Sequence, residues 1–139
     1  MENPGTAPIV PGASVVFELP YATPSLNETK RMHWGQYARR RAAIAWDVSI
    51  LTLGKRPASP FARAHIRVVR HGGKLLDADN ATGGLKALLD VLQPFHATVR
   101  PNGLGIIASD APGCLTLDVS QELAPRCAGK TVVTIEEIA

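Results

Sequence analysis

The sequence predicts one small domain of the α/β (α+β) class, with a mixed sheet of about four strands packed against two main helices. Two hydrophobic periods indicate this. Four stretches alternate apolar and polar residues, as half-buried strands do, and two repeat apolar residues every three or four positions, as amphipathic helices do. At 139 residues the chain is long enough to bury one core without disulfides or structural metals.

The predicted elements follow the order β-α-β-α-β-β along the chain. The strands are expected at residues 14–19, 62–71, 114–120 and 131–138. Pro20 ends the first strand. In the second, small or apolar residues alternate with Arg63, His65 and Arg67, which predicts a strand with a basic outer face. The glycine-containing run 104–107 is a further, shorter candidate strand.

The longer helix is predicted at 34–53 and ends before Gly54, a residue suited to the left-handed position after a helix. Its apolar face is formed by Trp34, Tyr37, Ile44, Val48 and Leu51. The second helix is predicted from a stripe at i, i+3, i+4 and i+7, formed by Leu85, Leu88, Leu89 and Leu92. Asn80 is a favoured N-cap for it, but Gly83 and Gly84 weaken a helix interior, so a start after them is equally open.

Charge is divided unevenly along the chain. Residues 1–73 contain ten Lys or Arg and four Asp or Glu, a formal charge of +6, whereas residues 74–139 contain five and eight, a formal charge of −3. The basic half suits a polyanion and the acidic half a metal ion. No apolar run is long enough to cross a membrane, and residues 1–12 are expected to be a mobile tail without a secretory signal. Two cysteines without a C-x-x-C spacing favour the reducing cytoplasm.

The segment between the second strand and the second helix is the predicted site. Asp77 and Asp79 are two residues apart, so in an extended segment both carboxylates point to one side and can share a hard cation such as Mg²⁺. Lys86 follows, four residues before Asp90, a spacing that also permits a simple salt bridge. The same run is equally typical of a turn and a helix cap with no catalytic role.

A third carboxylate is expected from Asp110, with Asp118 as the alternative. Asp110 follows an apolar run and precedes Pro112, so it is predicted to be in a loop that folds back toward the acidic pair. Asp118 is ranked lower because it is in the middle of an alternating strand. Three carboxylates with waters would suit Mg²⁺ or Mn²⁺.

These motifs resemble those of the RusA-type Holliday junction resolvases, which are common in bacteriophages and prophages. The resemblance covers roughly residues 20–118. Its motifs, in chain order, are Pro24-Ser25-Leu26-Asn27, then Arg31, His33 and Trp34, then Asp77-x-Asp79-Asn80, Lys86-x3-Asp90, and Gly105-Ile106-Ile107 before Asp110. The resemblance implies an α/β homodimer with a nuclease domain at 13–139. It also implies a Mg²⁺-dependent endodeoxyribonuclease, with Mn²⁺ as a substitute, that resolves four-way DNA junctions by paired nicks in recombination and repair, in the cytoplasm of a bacterium or a phage-infected cell.

Carried over to this chain, the resemblance makes Asp77, Asp79 and Asp110 the metal-binding catalytic acids and Lys86 the catalytic lysine. The residues expected on the DNA backbone are Lys30, Arg31, Arg39, Arg40, Arg63, Arg67, Arg70 and Lys74. For each arginine, a solvated surface charge is the competing interpretation. Two other functions stay open: a phage-derived DNA-binding protein that has lost catalysis, and a small-molecule enzyme, for which the sequence has no nucleotide-binding glycine fingerprint.

Overall fold

The computed structural model describes residues 13–138, so the tail expected at residues 1–12 lies outside the described residues. The elements, in chain order, are β1 (Ser14–Leu19), α1 (Leu26–Arg31), α2 (Trp34–Leu51), β2 (Ala64–Gly72), α3 (Ala78–Gly83), α4 (Lys86–Leu92), β3 (Leu115–Leu123) and β4 (Lys130–Glu137). A single α+β domain with a mixed sheet of four strands is therefore confirmed. The helical part is divided into more segments than the sequence predicted.

The four strands form one sheet in the order β1-β4-β2-β3. The β1–β4 and β4–β2 pairs are antiparallel and the β2–β3 pair is parallel. A parallel pair requires a crossover connection, and α3 and α4 lie within it. The segment that follows β2 is tied to the far part of β3, because Leu76 N donates to Gln121 Oε1 at 2.8 Å and Gln121 Nε2 donates to Leu76 O at 2.7 Å.

The alternation of side chains along the strands decides which face of the sheet is covered. Ala64, Ile66 and Val68 of β2 are buried, whereas Arg67 is exposed. The buried residues join one core with the inward residues of β1 and β4 and with α2 and α4. The predicted faces of β2 are thus confirmed, and the sheet has a helix-covered face and an open face.

Helix α1 is an element that the sequence interpretation missed. Its N-cap is Ser25, whose Oγ accepts from Glu28 N at 3.1 Å while Glu28 Oε1 accepts from Ser25 N at 3.4 Å. This reciprocal pair is a capping box, and its Ser-x-x-Glu signature was present in the sequence. The run 104–107, expected as a short strand, is instead joined to Phe61 only by an isolated bridge at Ile107.

Helix α2 starts where it was predicted and ends two residues earlier, at Leu51, with Gly54 in the left-handed region at φ 74°. Ile44 and Val48 are buried as expected. Trp34 is not, because the first residue of the helix projects past the end of the core and remains 78% exposed. The predicted apolar face is therefore wrong at this position.

Candidate active site at the α3–α4 junction

The acidic pair lies at the start of a helix and not in an extended segment. Asp77 is the N-cap of α3, and its Oδ1 accepts from Asn80 N at 3.0 Å. Asp79 is in the first turn of the same helix, and both carboxylates are exposed. Side chains here follow helical geometry, so the expected alternation of a strand does not apply. Acidic side chains are stabilised in this position by the unpaired N–H groups of the first turn.

Asn80 was predicted to be the helix N-cap, but the cap is Asp77, and the side chain of Asn80 instead contacts α1. Its Oδ1 accepts from Asn27 N at 3.3 Å. Asn27 is in the first turn of α1, where backbone N–H groups lack a partner within the helix. The bond therefore joins the N-terminal end of α1 to α3 across 53 residues of sequence.

Two glycines allow this close packing. A Cβ atom on Gly84 would lie 1.7 Å from Pro24 O, and one on Gly83 would lie 2.8 Å from the side chain of Leu26. Any larger residue at position 84 must displace the backbone at Pro24. The glycine pair thus brings the Pro24–Asn27 segment against the acidic segment, and two motifs distant in sequence form one surface.

Helix α3 ends at Gly83, and after Gly84 and Leu85 a new helix, α4, starts at Lys86. Of the two starts that the sequence left open, each is partly right: α3 forms before the glycines, and Lys86 nevertheless begins its own helix. Its Nζ lies 3.4 Å from Asp90 Oδ2 and 5.5 Å from the centroid of the Tyr37 ring. The side chain of Lys86 stays 66% exposed, so its ammonium group is both oriented and accessible.

Asp90 was named in the sequence as a salt-bridge partner and as part of the Lys86-x3-Asp90 motif, without a role in the site. Its Oδ2 accepts from Tyr37 OH at 3.0 Å and lies 4.0 Å from Arg41 NH1, so one oxygen faces three donors from two helices. Burial raises the pKa of the Tyr37 phenol, Asp90 raises it further, and Arg41 lowers it. The Tyr37 hydroxyl therefore stays protonated at neutral pH and donates a hydrogen bond to Asp90, and Asp90 in turn positions the ammonium group of Lys86.

The expected trio of carboxylates is not assembled. Ala111 O accepts from the first N–H of β3 at 3.3 Å, so Asp110 lies beside the start of that strand. Asp77 follows Leu76, which is bonded to Gln121 near the other end. The intervening strand spans roughly 20 Å. In the described part of the chain, no three His, Cys, Asp or Glu side chains are grouped as a metal site.

Asp118 does not replace Asp110 as the third ligand. It is exposed on β3, in register with Arg67 of β2. Successive side chains of a strand point to opposite faces of the sheet, and Asp118, like its partner Arg67, points to the open face. It therefore lies on the side of the sheet away from the helices and the acidic pair.

The basic residues expected on DNA do not form one surface. Lys30 and Arg31 are in the last turn of α1, which packs against α3, and Lys74 is in the turn before Asp77. These three are exposed, on segments that adjoin α3 either by packing or along the chain. Arg67 is on the open face, with NH1 3.9 Å from Glu136 Oε1. The remaining candidates lie on α2, at Arg39 and Arg40, and just before β2, at Arg63.

Arg70 faces the interior, contrary to the expected surface role. It is 9% exposed, its Nε donates to Thr23 O at 2.8 Å, and its NH1 donates to Lys74 O at 3.1 Å. Burial lowers the pKa of Arg70, and Glu28 opposes this. The sequence could have predicted this burial, because Arg70 is at an even-numbered position of β2, as are the buried residues Ala64, Ile66 and Val68. Its guanidinium group anchors the loop before α1 to the turn after β2.

The donor chemistry of the acidic pair fits a hard divalent cation. Both groups are exposed carboxylates, and the N-cap bond uses only Oδ1 of Asp77. Mg²⁺ is usually held by one or two carboxylates together with waters and substrate phosphates, without a complete protein cage. Asp77 and Asp79 therefore have the type of donor atom that Mg²⁺ or Mn²⁺ takes.

Comparison with models of known protein families found no match, and comparison with curated proteins found none either. The resemblance to RusA-type resolvases therefore depends on the sequence motifs. Among residues 13–138, no helix is both long enough and apolar enough to cross a membrane.

Proposed function

We propose that this chain is a Mg²⁺-dependent endodeoxyribonuclease that resolves four-way DNA junctions by paired cuts, as the RusA-type resolvases do. The observation that carries the proposal is the joining of the Pro24–Asn27 segment to the Asp77–Asn80 segment through Asn80 and Gly84. The elements that meet or follow at this junction carry two exposed carboxylates on α3, an oriented lysine on α4, and exposed cations on α1. This combination suits metal-assisted cleavage of a phosphodiester.

In this mechanism Asp77 and Asp79 would hold the cation, which when bound would supply the Lewis acidity for attack of water on the phosphate. Lys86 Nζ stabilises the negative charge that develops on the phosphate or the leaving oxygen. Asp90 and Tyr37 keep the ammonium group of Lys86 in position. Lys30, Arg31 and Lys74 bind backbone phosphates, which position DNA without reading its sequence.

We further propose that the active form is a homodimer working in the cytoplasm of a bacterium or a phage-infected cell. A four-way junction must be cut in two strands, and one symmetric interface would supply one site for each cut. The alternative function is a DNA-binding protein that has lost catalysis. The observation that favours it is the separation of Asp110 from the acidic pair.

The test is incubation of the purified protein with a labelled synthetic four-way junction. With Mg²⁺ we expect paired nicks near the branch point, and with Ca²⁺ we expect a gel shift with little cleavage, because Ca²⁺ binds with looser geometry. Asp77→Asn should abolish cleavage and retain the shift. Asp118→Asn, an acidic residue on the open face, is the matched control and should cut like wild type.

Two outcomes would separate the candidate functions. A gel shift without nicks in Mg²⁺ or Mn²⁺ would favour the inactive DNA-binding protein. Cleavage by Asp77→Asn at the wild-type rate would remove the acidic pair from the mechanism, whatever the substrate.

A further inference from the structure

The N-terminal end of α2 exposes an aromatic pair beside the candidate active site. Trp34 is 78% exposed, and its ring lies 5.6 Å from the ring of His33 at an interplanar angle of 37°. His33 is itself fixed as the N-cap of α2, since its Nδ1 accepts from Gly35 N at 3.2 Å. An exposed indole on a fixed support is a large flat apolar surface held ready for a planar partner.

The surroundings of Trp34 are basic. Lys30 and Arg31 precede it by a few residues and are exposed in the last turn of α1. Arg39 follows it on α2 and reaches back, because a Cβ atom on Gly35 would lie 3.8 Å from Arg39 NH1. None of these three cations forms an ion pair with another described residue. The chain on both sides of Trp34 thus carries exposed positive charge that is available to an anion.

The second tryptophan supplies an internal comparison. Trp46 is 68% exposed on the same helix, about 18 Å further along its axis. It borders a shallow groove formed by small or apolar residues of α2 and the loop at 101–104. The next exposed residues along the chain are Ile50, on α2, and Leu53, just past the end of the helix. Of the two exposed indoles, Trp34 is the one whose neighbours in the chain include exposed cations.

Trp34 is also less than one helical turn from the residues that hold Lys86. Tyr37 N donates to His33 O at 2.9 Å, and the Tyr37 ring lies 5.5 Å from Lys86 Nζ. A nucleotide whose base lay on Trp34 would therefore place its backbone near both the basic residues and the catalytic lysine.

We propose that Trp34, supported by His33, stacks on the face of a DNA base that has lost its stacking neighbour at the branch point, while Lys30, Arg31 and Arg39 bind the adjacent phosphates. This inference rests on the proposed function, and it adds the structural element by which branched DNA is distinguished from continuous duplex. Stacking on an aromatic side chain tolerates any base, because every base has a π face. A continuous duplex keeps each internal base stacked between two neighbours, so it gains nothing from Trp34.

The chain has only two tryptophans, so each can be observed alone by fluorescence. Trp46→Phe retains only Trp34, and Trp34→Phe retains only Trp46. Each variant is titrated in Ca²⁺, without cleavage, with a four-way junction and with a duplex of equal length, while binding is followed separately by gel shift. We expect the junction to quench the Trp34 emission strongly, the duplex to quench it little, and the Trp46 emission to stay unchanged.

Affinity supplies a second readout. Trp34→Ala should weaken junction binding about tenfold, the range expected for loss of one stacked base. Trp34→Phe should retain much of the affinity, and Trp46→Ala should bind like wild type. Duplex affinity should change by less than twofold in all three variants.

An intact gel shift with unchanged Trp34 emission would overturn the stacking proposal and leave the proposed function standing. Equal quenching of Trp34 by junction and duplex would also overturn it, since contact would not depend on a base face exposed at the branch point. Absence of any gel shift with branched DNA would overturn both proposals. Quenching of Trp34 by RNA or by a protein partner, but not by the junction, would assign the surface to another class of ligand.

Discussion

Two tyrosine–aspartate pairs tie helix α2 to the rest of the fold, and they differ in one respect. Tyr21 OH donates to Asp47 Oδ2 at 3.1 Å, which joins the loop after β1 to α2. Tyr37 OH donates to Asp90 Oδ2 at 3.0 Å, which joins α2 to α4. Both phenols are partly buried, and in both the pKa is raised, first by burial and then by the carboxylate.

The difference lies in what else the carboxylate contacts. Asp90 Oδ2 also lies 3.4 Å from Lys86 Nζ, and Lys86 is the residue proposed to stabilise charge on the phosphate. Asp47 binds the Tyr21 hydroxyl in a position remote from that lysine, toward the C-terminal half of α2. The two tyrosine–aspartate hydrogen bonds are alike in chemistry and length, but their roles differ. The Tyr21–Asp47 pair only joins two elements, whereas the Tyr37–Asp90 pair also positions Lys86. The following variants test this distinction, from the largest expected effect to the smallest.

Lys86→Ala should slow junction cleavage at least about a hundredfold, a barrier increase near 2.7 kcal/mol, because the developing negative charge loses its cation. Junction affinity should change far less. The measurement is single-turnover cleavage in Mg²⁺ beside a gel shift in Ca²⁺. The matched control is Lys130→Ala, whose Nζ lies 3.7 Å from Glu18 Oε1, an ion pair between β4 and β1. A folded Lys86→Ala protein that cuts within a few-fold of wild type would leave Lys86 only its salt bridge.

Tyr37→Phe and Tyr21→Phe should lower the free energy of unfolding to a similar extent, about 1.5 kcal/mol each, because each removes one hydrogen bond to a carboxylate. Only Tyr37→Phe should also slow cleavage, by about tenfold, since Asp90 then no longer fixes the ammonium group of Lys86. Urea titrations and single-turnover rates measure the two effects separately.

Combining Tyr37→Phe with Lys86→Ala sharpens the same comparison. If Tyr37 acts through Lys86, its substitution should cost nothing further in rate once the lysine is absent, whereas two independent effects would multiply. An equal loss of rate in Tyr21→Phe and Tyr37→Phe would mean that both act only through stability.

The smallest expected effect is on stability in alkali. The pKa of Tyr21 is raised to about 12 in the folded protein, from an ordinary value of 10.0. The contribution of this group is therefore complete below pH 10 and is lost as the pH rises toward 12, because the unfolded chain ionises first. Between pH 9 and pH 11 the urea midpoint of wild type should fall more than that of Tyr21→Phe. Equal falls in both proteins would contradict the assignment of this pH dependence to Tyr21.

The amino-acid sequence by itself determined the strands, the long helix and the position of the acidic pair in the chain. Apolar residues recur every two positions in a half-buried strand and every three to four positions in an amphipathic helix. Because this spacing arises within a single element, β2 and α2 were predicted close to their observed bounds. Two features had local signals that were overlooked. One is the capping box of α1 from Ser25 to Glu28, and the other is the even parity that turns Arg70 inward.

Only the tertiary structure decided which of these residues meet. Tyr37 and Asp90 are 53 residues apart, and no local pattern shows that α2 and α4 pack with these side chains in contact. The need for glycine at position 84, between α3 and α4, comes from the backbone of Pro24, which belongs to a distant part of the chain. The separation of Asp110 from the acidic pair follows from the parallel pairing of β2 with β3, which sets the two loops toward opposite ends of one strand. Contacts of this kind depend on how elements pack against one another, and the period of a single element carries no information about that packing.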